Sequence, residues 1–387
     1  MLWSPVGEAV LAEEGVSRLR KGQRNIYVKW LISLRGPVEK GDLVVIKDEK
    51  GDTLGLGFFE GIGAMAVRVL STELEDPFSL LYRRLEEALR LREKLKLDNF
   101  FRWVHSEADA LPGLIIDVYD DVVVISSTSI GMDKRVEEIS AMVGDLFRPS
   151  SIVLKNDSRP RREVGLPSER RVLSGSKTRA VVREGGALFH VDTIKGQKTG
   201  FFIDQRLNRI EVGYLAGPGD RVLDLYSYTG GFAIHAALSG AEVVAVDESE
   251  YAVTEMRSNA GLNSIELVAV QSRVKEFLEG DSSVYDLVIV DPPALAPSRD
   301  MVPRARKTYT AVNAAAMERV VSGGLMFTSS CSQFITKEEF KKIVIRAATL
   351  SNREITILGE RGASPDHPMD PMHPWTGYLK GLLLRVG

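Results

Sequence analysis

Arg221 to Asp247 reads R-V-L-D-L-Y-S-Y-T-G-G-F-A-I-H-A-A-L-S-G-A-E-V-V-A-V-D. Val222, Leu223 and Leu225 form a short apolar run that predicts a buried strand. Ser227 to Gly231 is rich in turn formers and carries two glycines. Phe232 to Leu238 has small and apolar residues at helical spacing, and Val243 to Val246 is a second apolar run that stops at Asp247. Strand, glycine-bearing loop, helix, strand and acid, in that order, is the layout of a nucleotide-binding βαβ unit. Glycines let the backbone pass close to a ligand, and an acid at the end of the second strand is placed to accept hydrogen bonds from ribose hydroxyls.

The loop departs from the G-x-G-x-x-G pattern. Tyr226, Ser227 and Tyr228 precede Thr229-Gly230-Gly231, and Asp224 lies on the strand itself. A carboxylate there repels a pyrophosphate and suits a cationic ligand such as S-adenosylmethionine, which carries an ammonium and a sulfonium.

The chain has 387 residues, room for two or three domains that each bury a core. With 44% hydrophobic and 27% charged residues it has the composition of an ordinary globular protein. A net charge of −3 confines any nucleic-acid surface to a local patch. No apolar run has spanning length and Met1 to Val10 lacks a signal-peptide pattern, so a cytoplasmic protein without a membrane partner is expected. The single cysteine excludes an internal disulfide and a Cys-based zinc site, and no metal is expected.

Residues 1–72 predict a small β domain. The β-rich runs Tyr27 to Leu34, Asp42 to Lys47, Thr53 to Phe59 and Ala66 to Leu70 are separated by turn signals, and the pattern resembles a PUA domain, a small RNA-binding barrel. Residues 73–186 predict an α+β middle domain: an amphipathic helix over Phe78 to Leu97, two strands turning at Asp120-Asp121, a helix over about 132–147, and a strand at Ser151 to Lys155. A basic segment follows, with Arg159, Arg161, Arg162, Arg170, Arg171, Lys177, Arg179 and Arg183; it reads either as a solvated connector or as a phosphate contact. In residues 187–387 strand-like runs recur at helix-sized intervals. They predict an α/β domain, Rossmann-like, with a mostly parallel doubly wound sheet whose ligands sit at the carboxyl ends of the strands.

Three such strand ends carry chemistry. The first bears Asp224 and the glycine loop. The fourth ends in Asp291-Pro292-Pro293, a stiff edge without backbone donors of its own at the prolines, suited to holding a flat base while Asp291 bonds to its polar rim. The fifth ends in Ser329-Ser330-Cys331-Ser332. The bland reading of Cys331 is a small buried hydrophobe. Its place at a strand's carboxyl end points instead to a nucleophile. Addition of a thiolate to C6 of cytosine makes C5 enamine-like and able to attack a methyl sulfonium, one hard step split into easier ones. Methyltransferases that act on exocyclic amines often carry an aromatic residue after the two prolines; Ala294 stands there.

With these residues in place, the chain resembles the RlmI-type ribosomal RNA 5-methylcytosine methyltransferases. The likeness runs nearly end to end. It rests on S-E-A-D-A-L-P-G-L-I-I-D (Ser106 to Asp117), K-T-G-F-F-I-D-Q-R (Lys198 to Arg206), S-Y-T-G-G-F, D-P-P, S-C-S, D-H-P (Asp366 to Pro368) and G-Y-L-K-G (Gly377 to Gly381), a set that is specific in this order. The resemblance implies a PUA domain, a middle domain and a class I methyltransferase domain. It implies S-adenosylmethionine held by Thr199, Phe202, Asp204 and Arg206, by Asp224, Tyr226, Ser227, Thr229 and Gly230, by Asp247, and by Asp291 and Pro292. It implies Cys331 and Asp291 as catalytic residues, and RNA, in the large ribosomal subunit, as the partner, held partly by the PUA domain. DNA is not expected, and a homodimer is compatible with the sequence. Relatives carry an acid for adenine after the third strand; Gln271-Ser272-Arg273 stands here, which makes Ser272 the substitute candidate. His105 and His367 read as structural.

Overall fold

Apolar runs that read as strands pair into sheets whose faces are covered by the amphipathic helices between them. The computed structural model describes residues 2–163 and 165–387. Contacts group the chain into two units, one of Met1–Ala180, Val191–Phe202 and Pro365–Thr376, the other of Val181–His190, Ile203–Ser364 and Gly377–Gly387.

The first unit holds a six-stranded sheet built from residues 7–71 and a five-stranded sheet built from residues 100–174. Across residue 72, Leu43, Phe58 and Leu70 share a core with Leu81, Leu85 and Trp103. The expected strand Tyr27 to Leu34 is two strands, Asn25–Tyr27 and Leu31–Arg35, joined by a 3-10 turn and lying at opposite edges of the six-stranded sheet. The basic segment is folded: Glu169–Ser174 pairs antiparallel with Ser151–Asn156. Several of its cations are committed, Arg161 to Asp133, Arg170 to Asp157, Arg171 to Glu137 and Lys177 to Asp121. Val164, inside that segment, lies outside the described residues.

Gly131 sits where a side chain has no room, since a Cβ would meet Phe58 Cγ at 2.2 Å and Phe58 is fully buried. Gly131→Ala is therefore expected to lower stability by about 1–3 kcal/mol through overpacking. Urea unfolding of the whole chain measures this, and an unchanged midpoint would show that the shared core yields freely.

The second unit contains the seven-stranded sheet. Its strands are β1 (Arg221–Leu225), β2 (Glu242–Asp247), β3 (Val268–Gln271), β4 (Tyr285–Val290), β5 (Val320–Ser330), β6 (Ile355–Arg361) and β7 (Lys380–Val386), in the order β3-β2-β1-β4-β5-β7-β6. The neighbours from β3 to β5 run parallel, and β7 pairs antiparallel with both β5 and β6. Helices α1 (Arg206–Tyr214), α2 (Gly231–Leu238) and α3 (Glu250–Leu262) pack on one face, through Val212, Phe232 and Met256. Helices α4 (Val274–Gly280), α5 (Val302–Met317) and α6 (Lys337–Leu350) pack on the other, through Leu278, Tyr309 and Phe340. Among the described residues no helix is long and apolar enough to cross a membrane.

Register positions the chemistry. Leu225 lies opposite Val246 on β2 and Val290 on β4, and Val290 lies opposite Thr328 on β5. The residues just past these positions, the glycine loop, Asp247, Asp291 and the Ser329–Ser332 turn, therefore emerge along one edge of the sheet.

Candidate active site

The glycine loop leaves β1 under backbone strain. Tyr226 and Tyr228 have φ of 63° and 50°, unusual for residues with a Cβ, and Gly230 has φ of 88°. Ser227 N–H donates to Val246 O at 3.0 Å, and Gly230 N–H to Ser227 O at 2.9 Å. Only glycine fits at Gly230, where a Cβ would also meet Met256 Cγ at 2.8 Å. Gly231 is needed for a different reason, the approach of Arg209, whose Cδ would lie 2.6 Å from a Cβ there. Arg209 is itself held by buried Glu184, which His235 also contacts. Burial would raise the Glu184 carboxyl, but Arg209 and His235 outweigh burial and bring it down to about 2.

Asp224 is fully buried beneath the loop. Its Oδ2 accepts from Ser227 Oγ and from Ala233 N–H, while Oδ1 has no hydrogen-bond partner among the described residues. Burial pushes its carboxyl up to about 7; the two hydrogen bonds oppose the rise, and the charges of Asp291 and Asp247 add to it. Asp247, half-buried at the end of β2, accepts from Tyr228 N–H and Ser249 N–H, both at 2.9 Å. Ser272 N–H donates to Asp247 O at 3.0 Å, which brings the turn after β3 against the acid. Tyr226 is half-buried, and burial raises its phenol to about 12.

Asp291 follows β4. Its Oδ1 accepts from Gln205 Nε2 at 2.8 Å and from Ser329 Oγ. Gln205 is oriented in turn by Asn208, whose Nδ2 donates to Gln205 Oε1 at 2.6 Å and to Gly362 O at 3.1 Å. Sequence reading passed over Gln205, although it stands between Asp204 and Arg206; its signal was only its place in the K-T-G-F-F-I-D-Q-R run. Asp204 turns elsewhere, its Oδ2 accepting from Tyr378 OH at 2.6 Å, and Arg206 is buried at the start of α1. Cys331 follows β5 with its side chain partly exposed, and its Sγ lies 4.0 Å from Pro292 O.

Thr199 and Phe202 belong to the first unit. Thr199 is buried there, its hydroxyl donating to Asp117 and sharing a 2.8 Å hydrogen bond with Tyr119 OH. That side chain is committed to the unit's own polar core. The Phe202 ring has the Lys198 ammonium over it at 4.4 Å. His105 and His367 are buried in the same unit with ring centroids 5.0 Å apart, His105 on Thr376 O and His367 on Asp366. The Asp366 carboxylate accepts from Arg102 N–H, and Arg92 pairs with Asp109, so the two outlying sequence motifs are parts of one structural network.

A doubly wound sheet of this order, with a glycine loop after its first strand, an acid after its second and Asp-Pro-Pro after its fourth, defines a class I S-adenosylmethionine-dependent methyltransferase. Residues 151–360 match the S-adenosylmethionine-dependent methyltransferase family, a match that begins inside the expected middle domain, and residues 10–72 match the PUA-like domain family. The chain belongs to the ribosomal RNA large subunit methyltransferase I family. It is 37% identical over 357 residues to a candidate ribosomal RNA large subunit methyltransferase of Methanocaldococcus jannaschii, covering 90% of each chain. It is 32% identical to ribosomal RNA large subunit methyltransferase I of Alteromonas mediterranea, covering 98% of each. Among solved structures, a candidate methyltransferase crystallised with S-adenosylhomocysteine matches with a TM-score of 0.83 at 20% identity, over 98% of this chain and 99% of that one.

The residues present fit S-adenosylmethionine. Asp224 Oδ1 and Thr229 Oγ1 are buried acceptors without a partner among the described residues, the Gly230 backbone is kept bare by its conformation, and Asp224, Asp247 and Asp291 gather negative charge at one edge. A cation with ribose hydroxyls suits that set.

Proposed function

We propose that this chain methylates C5 of a cytosine in large-subunit ribosomal RNA, with Cys331 as the nucleophile. The observation that carries the reading is the position of a partly exposed thiol beside Pro292, at the same sheet edge as Asp291 and the glycine loop. The names of the relatives support the RNA, and the PUA-like domain supports a separate holding surface for it. The cytoplasm is the compartment where such a substrate is met.

S-adenosylmethionine, when bound by Asp224, Thr229, Gly230 and Asp247, supplies a methyl group that a carbon nucleophile can take. Cys331 sulfur adds to C6 of the cytosine, and the displaced π electrons make C5 that nucleophile. Asp291 faces the base rim, hydrogen-bonding to N3 or the exocyclic amine; Gln205 and Ser329 fix its carboxylate so that it does not have to be ordered at the moment of reaction. Loss of the C5 proton then restores the C5–C6 double bond and expels the thiolate.

RNA carrying tritium at C5 of cytosine tests this reading. C5 methylation releases tritium to water in step with methyl transfer. Full methyl transfer without tritium release would move the reaction to an amine or a ribose hydroxyl.

A further inference from the structure

The G-Y-L-K-G run near the carboxyl end has no part in the chemistry so far. Its Lys380 opens β7 directly opposite Ser330, the residue before Cys331. The side chain turns inward and is only 5% exposed. Its Nζ donates to the carbonyl of Ser332, the residue after Cys331, at 2.6 Å. Lys380 makes no ion pair with a carboxylate among the described residues.

The rest of the turn is pinned as firmly. Tyr309 OH on α5 accepts from Ser330 Oγ at 3.0 Å and shares a 2.9 Å hydrogen bond with Ser332 Oγ, which also accepts from Ala296 N–H at 3.1 Å. Cys331 is thus the partly exposed member of a turn whose flanking serines are fully buried.

A buried ammonium is expensive unless an opposite charge meets it. Burial lowers Lys380 to about 8; the Cys331 sulfur is first among the charges that oppose the fall, Glu339 on α6 follows, and Lys337 on the same helix adds to the fall. Tyr309 does not compete as an anion, because burial raises its phenol to about 12. Asp291, at the end of β4, has its carboxylate held by Gln205 and Ser329.

We propose that Lys380 is the positioning residue of Cys331, its ammonium anchoring the turn through Ser332 and stabilising the thiolate that attacks the base. This rests on the C5 reading above. The thiol proton passes to water, the sulfur electron pair forms the S–C6 bond and returns to sulfur on elimination, and Lys380 makes and breaks no covalent bond.

The chain has one cysteine, so iodoacetamide alkylation of the full-length protein reports on Cys331 alone. The rate should rise to half its maximum at a pH below the value of about 8.5 usual for a free thiol. Lys380→Met should move that midpoint up by at least about one unit, which lowers alkylation at pH 7 about tenfold. Lys380→Arg keeps the charge and should keep most of the wild-type profile. S-adenosylmethionine affinity by calorimetry reports whether each variant is folded. A wild-type midpoint at or above about 8.5 overturns the proposal without any variant; so does a Lys380→Met midpoint equal to the wild type's. If Lys380→Met does not fold, the wild-type midpoint decides. Methyl transfer by Cys331→Ala at the wild-type rate would refute the C5 reading and leave the alkylation profile standing. An unmoved profile would refute the role of Lys380 and leave C5 chemistry intact.

Discussion

Cys331→Ala should abolish methyl transfer to RNA while leaving S-adenosylmethionine affinity nearly unchanged. The thiol acts on the base, and the groups read as holding the cofactor lie on β1, β2 and the glycine loop. Removing a covalent nucleophile typically lowers turnover by several orders of magnitude, because no neighbouring group takes over the bond it forms. RNA with 5-fluorocytosine at the target position gives the complementary result. Fluorine does not leave as a proton does, so elimination is blocked after methyl transfer and the protein should remain covalently attached. The adduct should need S-adenosylmethionine and should be absent with Cys331→Ala. Methylation by the Ala variant at near the wild-type rate would remove the thiol from the mechanism.

Asp224→Asn should move stability and cofactor affinity in opposite directions. The folded carboxyl titrates at about 7, above the value of 3.8 expected when the chain is unfolded. A carboxyl raised in this way favours the folded state fully below the unfolded value. That contribution is lost as pH rises from about 4 and is gone above the folded value. Each unit of the difference corresponds to about 1.4 kcal/mol, so ionised Asp224 costs at most on the order of 4 kcal/mol at pH 8. Asparagine keeps an acceptor for Ser227 and Ala233 and is never charged. The Asn variant should therefore melt higher than wild type at pH 8, with the difference shrinking toward pH 4. Its S-adenosylmethionine affinity should fall by about 1–3 kcal/mol, the usual worth of a hydrogen bond to a charged group. Wild-type affinity should also rise from pH 6 to pH 7.5 as Asp224 ionises, and the variant should lose that rise. Calorimetry and thermal melts across this range measure both, and a variant with unchanged affinity at pH 7.5 would place the ammonium elsewhere.

The sequence alone determined the parts of this protein that depend on local pattern. Apolar runs of strand length separated by helical spacing specify an α/β sheet, and the residue ending each run is readable because burial stops there. Asp247, Asp291 and Cys331 are legible in that way as strand-end residues, and the register of β1, β2, β4 and β5 brings the ends of their strands to one edge.

Tertiary structure decided what non-local pairing controls. Nothing in the run Tyr378 to Arg385 states that its strand inserts between β5 and β6, yet only that insertion sets Lys380 against the turn of Cys331. Gln205 reaches Asp291 across 86 residues of chain, and Thr199 is drawn to Asp117 across 82. Asp224 was legible as an acid on β1, but its orientation was not. A strand residue's pattern gives its face, and only the packed helix above it shows whether the carboxylate meets a ligand directly or holds the loop from beneath. Phe58 likewise shares its core with Leu85 and Trp103, residues well beyond its own sheet in the chain. Periodicity encodes which side of an element is apolar; what covers that side is settled by contacts whose partners are distant in sequence.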